Sequence, residues 1–98
     1  MSLPMHNVHL TGLLTCANDE ELRIVRRHLS KHENLTRDEP GCEHFSVKQT
    51  SDPLVWKVSE RFTDQASFHA HQTRSQDSEW GRATALMARS YSITHGNS

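Results

Sequence analysis

No segment of this 98-residue sequence is apolar for long enough to cross a bilayer, and residues 1–10 carry neither a basic leader nor an apolar run, so no signal peptide is expected. Two cysteines, Cys16 and Cys42, are too few for a disulfide framework and lack the close spacing of a zinc ribbon. That usage points to a reducing compartment, the cytoplasm. Neither sign of charge dominates: 11 basic and 12 acidic residues scatter along the chain to a net −1. No patch is available to neutralise a phosphate backbone or an anionic membrane surface, so nucleic acid and membranes are not expected partners. The basic run Arg23, Arg26, Arg27 and Lys31 alternates with apolar residues at helical spacing and reads as a solvated helix face. There is no glycine-rich phosphate loop and no serine in a nucleophile-elbow pattern. Apolar residues make up only 34% of the chain, and the mean hydropathy is −0.75. Such a chain forms one domain, residues 1–98 with a core over about 6–94, and gains from burial against a second copy. A homodimer is expected.

What is present is a regular succession of patterns. Residues 7–16 alternate, with Val8, Leu10, Gly12 and Leu14 on one side, as in a strand. Asn18 or Asp19 then offers a cap, Glu20 and Glu21 load a first helical turn, and Leu22, Val25, Leu29 and His32 recur at helical spacing in a helix ending near Glu39. Pro40-Gly41 closes that helix. Strands over 42–49 and 54–62 flank the turn Thr50-Ser51-Asp52-Pro53 and form an antiparallel hairpin. Thr63 or Asp64 caps a second helix carrying Ala66, Phe68 and His71. A polar break over 73–78 precedes a short helical piece around 80–87, and 88–94 alternates as a last strand. The order β-α-β-β-α-(α)-β predicts an α+β fold of ferredoxin-like split-βαβ type, a four-stranded antiparallel sheet with helices on one face. Its other face, with Leu13 and Val55, wants the cover of a second sheet.

Glu60 and Phe62 share a strand face with Trp56 and Val58, and His71 lies three residues after Phe68 on the apolar side of the next helix. This places a carboxylate and an imidazole together in space otherwise filled by hydrocarbon. Imidazole is suited to remove a phenolic or α-carbonyl proton near neutral pH, and a hydrogen bond from Glu60 would orient it. The same pair could equally be a structural hydrogen bond between two half-buried groups. Trp56, Phe45, Phe62, Phe68, Trp80 and Met87 supply either core or the walls of a planar-ligand site, Trp80 being the best pocket candidate. Arg82 and Arg89 flank the last helix and strand, where they would hold an anionic oxygen or lie on the surface. Among eight histidines, His28 and His32 have helical spacing but no third ligand, and His69 and His71 diverge, so no metal site is expected.

The run Thr36-Arg37-Asp38-Glu39-Pro40-Gly41-Cys42, the hairpin with Asp52-Pro53, then Glu60-Arg61-Phe62-Thr63-Asp64-Gln65-Ala66 and Ala70-His71 resemble the antibiotic biosynthesis monooxygenase domain family over nearly the whole chain. The resemblance implies a dimeric α+β barrel with a small pocket between sheet and helices in each subunit. It also implies oxidation of quinols, anthrones or related phenols by molecular oxygen with no bound cofactor; other members isomerise small carbonyl compounds or degrade haem. Glu60 corresponds to the family's strand carboxylate, Phe62 to its aromatic position and His71 to its helix histidine.

The stretch Ser75-Gln76-Asp77-Ser78-Glu79-Trp80 departs from the family pattern by placing glutamate where a second histidine would fall. No histidine occurs near 82–84 either, which disfavours haem degradation. The expectation is a monooxygenase acting on a small aromatic substrate with His71 as base, Glu60 orienting it, and Trp56, Phe62, Phe68, Trp80 and Arg82 shaping the substrate site. An isomerase or tautomerase using the same pair, and a non-catalytic small-molecule-binding dimer, are the alternatives.

Overall fold

A computed structural model describes residues 6–97. Its elements are β1 (His6–Thr15), α1 (Asp19–Arg37), β2 (Cys42–Gln49), β3 (Val55–Phe62), α2 (Gln65–Asp77), α3 (Glu79–Ala83) and β4 (Ala88–Asn97). The strands form one antiparallel sheet in the order β2-β3-β1-β4, the ferredoxin-like arrangement, with the helices on one face. Among the described residues no helix is long and apolar enough to cross a membrane.

Alternation decides which side of each strand is buried. Val8, Leu10 and Leu14 of β1, Phe45 and Val47 of β2, and Trp56, Val58, Glu60 and Phe62 of β3 all turn to the helical layer. From α1, Leu22, Val25, Leu29, His32 and Thr36 descend on them at helical spacing. Asn18 caps this helix by accepting the Glu21 N–H at 3.0 Å, while the Glu21 carboxylate reaches back to the Ala17 N–H at 2.8 Å. Asp64 caps α2 in the same way through the Ser67 N–H. Gly41, with φ of 87°, occupies the left-handed region, and a side chain there would strike the Ser67 hydroxyl.

Several boundaries differ from the sequence expectation, and the short helix expected around 80–87 spans only Glu79–Ala83. The polar stretch 73–78 is not a break, because α2 continues to Asp77 and only Ser78 interrupts it. The Ser78 hydroxyl donates to the Ser75 carbonyl at 2.7 Å and accepts the Gly81 N–H at 3.1 Å, so one residue ends α2 and caps α3. The last strand runs beyond 94 to Asn97, because it pairs with β1 along its whole length. The register of β2 shifts between Cys42 and His44, a bulge that puts the Glu43 carboxylate beside Asn7 (2.6 Å) and Arg61 (3.1 Å).

The second face of the sheet is open. Leu13 is 41% exposed there.

Candidate active site

Cross-strand pairing sets the floor of the site. Glu60 sits between Leu10 on β1 and Phe45 on β2, so its carboxylate rises from hydrocarbon on both sides and is only 8% exposed. Burial, and secondarily the charge of Glu39, pushes its pKa up to about 7.

His71 comes down from α2, 3% exposed, with its ring stacked on Phe62 at 4.8 Å between centroids and edge-on to Phe45 at 6.0 Å. Its Nε2 lies 3.5 Å from Glu60 Oε1. That carboxylate oxygen is buried and has no well-formed hydrogen bond among the described residues. The residue that orients the ring is therefore not the expected Glu60. It is Glu39, whose Oε2 and Oε1 lie 3.0 and 3.3 Å from His71 Nδ1.

Glu39 follows the last turn of α1, where its N–H bonds the Thr36 carbonyl and its own carbonyl receives the Cys42 N–H. Its carboxylate is also gripped by Arg74 Nε, and Arg74 Nη2 donates to the Thr36 hydroxyl at 3.0 Å. His71 and Arg74 thus face one carboxylate from adjacent turns of α2. Paired with a guanidinium, Glu39 acts only as an acceptor, so the proton of a neutral His71 resides on Nδ1 and the lone pair on Nε2. Burial lowers the His71 pKa and outweighs the raising effect of Glu39, which keeps the ring neutral near pH 7.

These groups open on a cavity of about 470 Å³. Hydrocarbon walls come from Leu10, Phe45, Val47 and Val58, and Trp80 closes the side formed by α3. Trp80 stacks on His32 of α1 at 4.8 Å and 8°, a parallel contact that holds both rings upright. His32 is itself buried, which lowers its pKa to about 3. Gly81 lets α3 fold back tightly, since a side chain there would strike the Ser75 carbonyl.

The expected site residues separate into three groups. His71, Glu60 and Trp80 line the cavity. Phe62 backs the imidazole from the core, with Phe68 packed behind it at 5.8 Å, so neither forms the wall. Trp56 points into the core beside Leu14 and Gln49, away from the cavity. Arg82 is exposed and borders a different surface depression with Glu20, Glu21 and Leu86, because the short α3 turns it to the opposite side from Trp80. Arg89 does line the cavity, as do Tyr91 and His32. Sequence reasoning missed Glu39, Arg74 and Tyr91. A weak signal existed for the first two, since Glu39 stands beside the proline-glycine turn and Arg74 follows His71 by three positions. Among the described residues, no cluster of three His, Cys, Asp or Glu side chains is arranged to hold a metal ion.

The family model for antibiotic biosynthesis monooxygenases matches residues 8–82. No curated protein matches the chain significantly in sequence. Solved structures share its fold. PA3566 from Pseudomonas aeruginosa is 20% identical, with a TM-score of 0.67 over 100% of this chain and 96% of that one. A Nitrosomonas europaea protein named provisionally as an antibiotic biosynthesis monooxygenase is 15% identical, with a TM-score of 0.68 over 100% and 94%. MupZ from Pseudomonas fluorescens is 14% identical, with a TM-score of 0.74 over 89% and 69%. At such identities the likeness is one of fold.

Proposed function

The chain belongs to the antibiotic biosynthesis monooxygenase family, and from that membership we propose that it oxidises a small quinol-like, phenolic or anthrone-type substrate with molecular oxygen, His71 acting as general base. The observation that supports this reading is the placement of the imidazole. Glu39 fixes Nδ1 at 3.0 Å, and Nε2 faces Glu60 at the wall of a mainly hydrocarbon cavity.

In this reading Nε2 takes a proton from the hydroxyl or activated carbon of the substrate. The resulting anion is a far better electron donor, and passes one electron to oxygen. The radical pair joins at the electron-rich carbon, and the peroxide takes back the proton from His71 Nε2 as a hydroperoxide. Nε2 then removes the hydrogen left on that carbon as a proton while the O–O bond breaks and a carbonyl forms: one oxygen atom enters the product, the other leaves as water, and the substrate supplies all four electrons. Glu60, which exchanges its proton near neutral pH, protonates the departing hydroxide. Glu39 stays ionised against Arg74 and stabilises the imidazolium. Glu60 is thus assigned to proton return, and Glu39 takes the orienting role. The working unit in this proposal is a homodimer joined through the open sheet face bearing Leu13 and Val55.

The test is oxygen uptake by the purified protein with hydroquinones, dihydroxynaphthalenes and anthrones, beside His71→Ala. Uptake above autoxidation that is lost in the variant is expected. Identical traces for the two proteins across the panel overturn the proposal, and product formation under strict anaerobiosis assigns the pocket to proton transfer as an isomerase.

A further inference from the structure

Glu60 and His71 line the cavity, with Glu39 behind them; Arg89 and Tyr91 also line it, projecting from the same side of β4, two residues apart. Arg89 is held on a fixed frame. Its Nη1 donates to the carbonyls of Thr84 (2.7 Å) and Met87 (3.3 Å), and its Nη2 to the Thr84 hydroxyl (2.7 Å). Thr84 is fully buried and its hydroxyl bonds the Trp80 carbonyl, so the frame is continuous with α3.

All three of these acceptors are neutral. Among the described residues no carboxylate lies within ion-pairing distance of Arg89, whereas Arg37, Arg61 and Arg74 each have one. Bonds through Nη1 and Nη2 toward Thr84 leave the Nε edge as the open side of the guanidinium, the edge that with Nη2 grips a carboxylate in parallel. Tyr91 completes this corner. Its ring lies over Gly12, where any side chain would strike Tyr91 and the Ser90 carbonyl, and burial raises the pKa of its phenol against the opposing charge of Arg89, so the hydroxyl stays protonated. Neither residue has a part in the proton transfer assigned to His71 and Glu60.

We propose that Arg89, with Tyr91 beside it, is a specificity site for a carboxylate on the substrate, so that the substrate class is a hydroxylated aromatic acid. The inference rests on the reading of this cavity as the substrate pocket. An anion held by Arg89 is neutralised there, which limits its opposition to removal of the proton at His71. The hydrocarbon walls of Leu10, Phe45, Val47 and Val58 match a flat ring.

The experiment measures binding by calorimetry in the absence of oxygen, so turnover does not enter it. The probes are 6-hydroxy-2-naphthoate, its methyl ester and 2-naphthol, tested on wild type, Arg89→Gln and Arg89→Lys. The wild type is expected to bind the acid roughly tenfold more tightly than the ester or 2-naphthol. Arg89→Gln should abolish that preference while leaving 2-naphthol affinity within about twofold, and Arg89→Lys should restore part of it. Equal binding of acid and ester to the wild type, or a preference that survives in Arg89→Gln, overturns the proposal. The wild-type comparison of acid and ester stands even where Arg89→Gln does not fold. Absent oxygen uptake with an intact acid preference would sink the monooxygenase reading and leave this one standing.

Discussion

His71 Nδ1 lies 3.0 Å from a carboxylate oxygen of Glu39, a residue 32 positions earlier in the chain. The contact joins the turn that ends α1 to the middle of α2 and determines which imidazole nitrogen faces the cavity. Because the Arg74 guanidinium donates to the same carboxylate, Glu39 serves as the acceptor for Nδ1 and the Nδ1–H tautomer follows. The chemistry available to Nε2 is therefore set from a part of the fold that does not itself line the cavity.

Glu39→Gln should consequently reduce kcat more than it raises KM. The amide keeps the shape but no longer stabilises the imidazolium or selects the tautomer, and a loss of about 10–100-fold in kcat is expected. Since Glu39 raises the His71 pKa against the effect of burial, the variant should move the acidic limb of the pH–rate profile to lower pH. An unchanged kcat with an unshifted limb would show that Glu39 is only scaffold. NMR titration of the His71 ring gives the same shift independently of turnover.

Glu60 supplies a pH signature of opposite origin. Its folded pKa of about 7 lies above the ordinary carboxylate value of 4.5, so between those pH values the native state binds more protons than the unfolded chain. Its contribution to stability is fully present below pH 4.5 and is lost as pH rises through 7. Glu60→Gln removes that loss, and should be more stable than wild type at pH 8 by roughly 2–3 kcal/mol, with the advantage vanishing near pH 4. Urea titrations of both proteins at the two pH values check this; an equal difference at both would refute it.

His32 acts in the contrary direction. Burial, with the nearby charges of His71, Arg74 and Arg89, lowers its pKa from 6.5 to about 3, so between these values the unfolded chain binds the proton that the native state refuses. Stability should fall with decreasing pH across that window by up to about 1.4 kcal/mol per pH unit from this residue. His32→Phe preserves a ring against Trp80 and should flatten the acid limb of the stability curve. Thermal melts from pH 4 to 7 measure the slope, and an unaltered acid limb in the variant would count against this source.

Much of this arrangement was legible in the sequence where a local period carries it. The alternation of Trp56, Val58, Glu60 and Phe62 put Glu60 on the covered face, and the spacing of Leu22, Val25, Leu29 and His32 put His32 into the core. Glu39 was not legible, because it lies beyond the last helical turn in a segment that reads as punctuation, and its partner is reached only when α1 and α2 pack together. The continuation of α2 through 73–77 was hidden for a related reason. Its C-terminal turns carry polar residues without an apolar stripe, and the tether from Arg74 to Glu39 and Thr36 is a tertiary contact. Trp56 and Trp80 have equal claims as pocket walls by residue type; strand direction and the Ser78 elbow separate them.

The open sheet face makes the last prediction. Leu13 on β1 and Val55 on β3 project to the side away from the helices, Leu13 at 41% exposure, and neither contributes to the cavity. In a homodimer joined through this face their burial would supply part of the association energy, so Leu13→Asp combined with Val55→Asp should convert a sedimenting dimer into a monomer. Because both side chains are already at least partly exposed within one chain, the circular dichroism spectrum should remain that of the folded protein. Activity should fall along with dimer content if the paired sheets stiffen β1 and β4, which carry Leu10, Arg89 and Tyr91 on the cavity side. Analytical ultracentrifugation across a concentration series is the decisive measurement, and a wild-type chain that stays monomeric at high concentration would remove this face as an interface between copies.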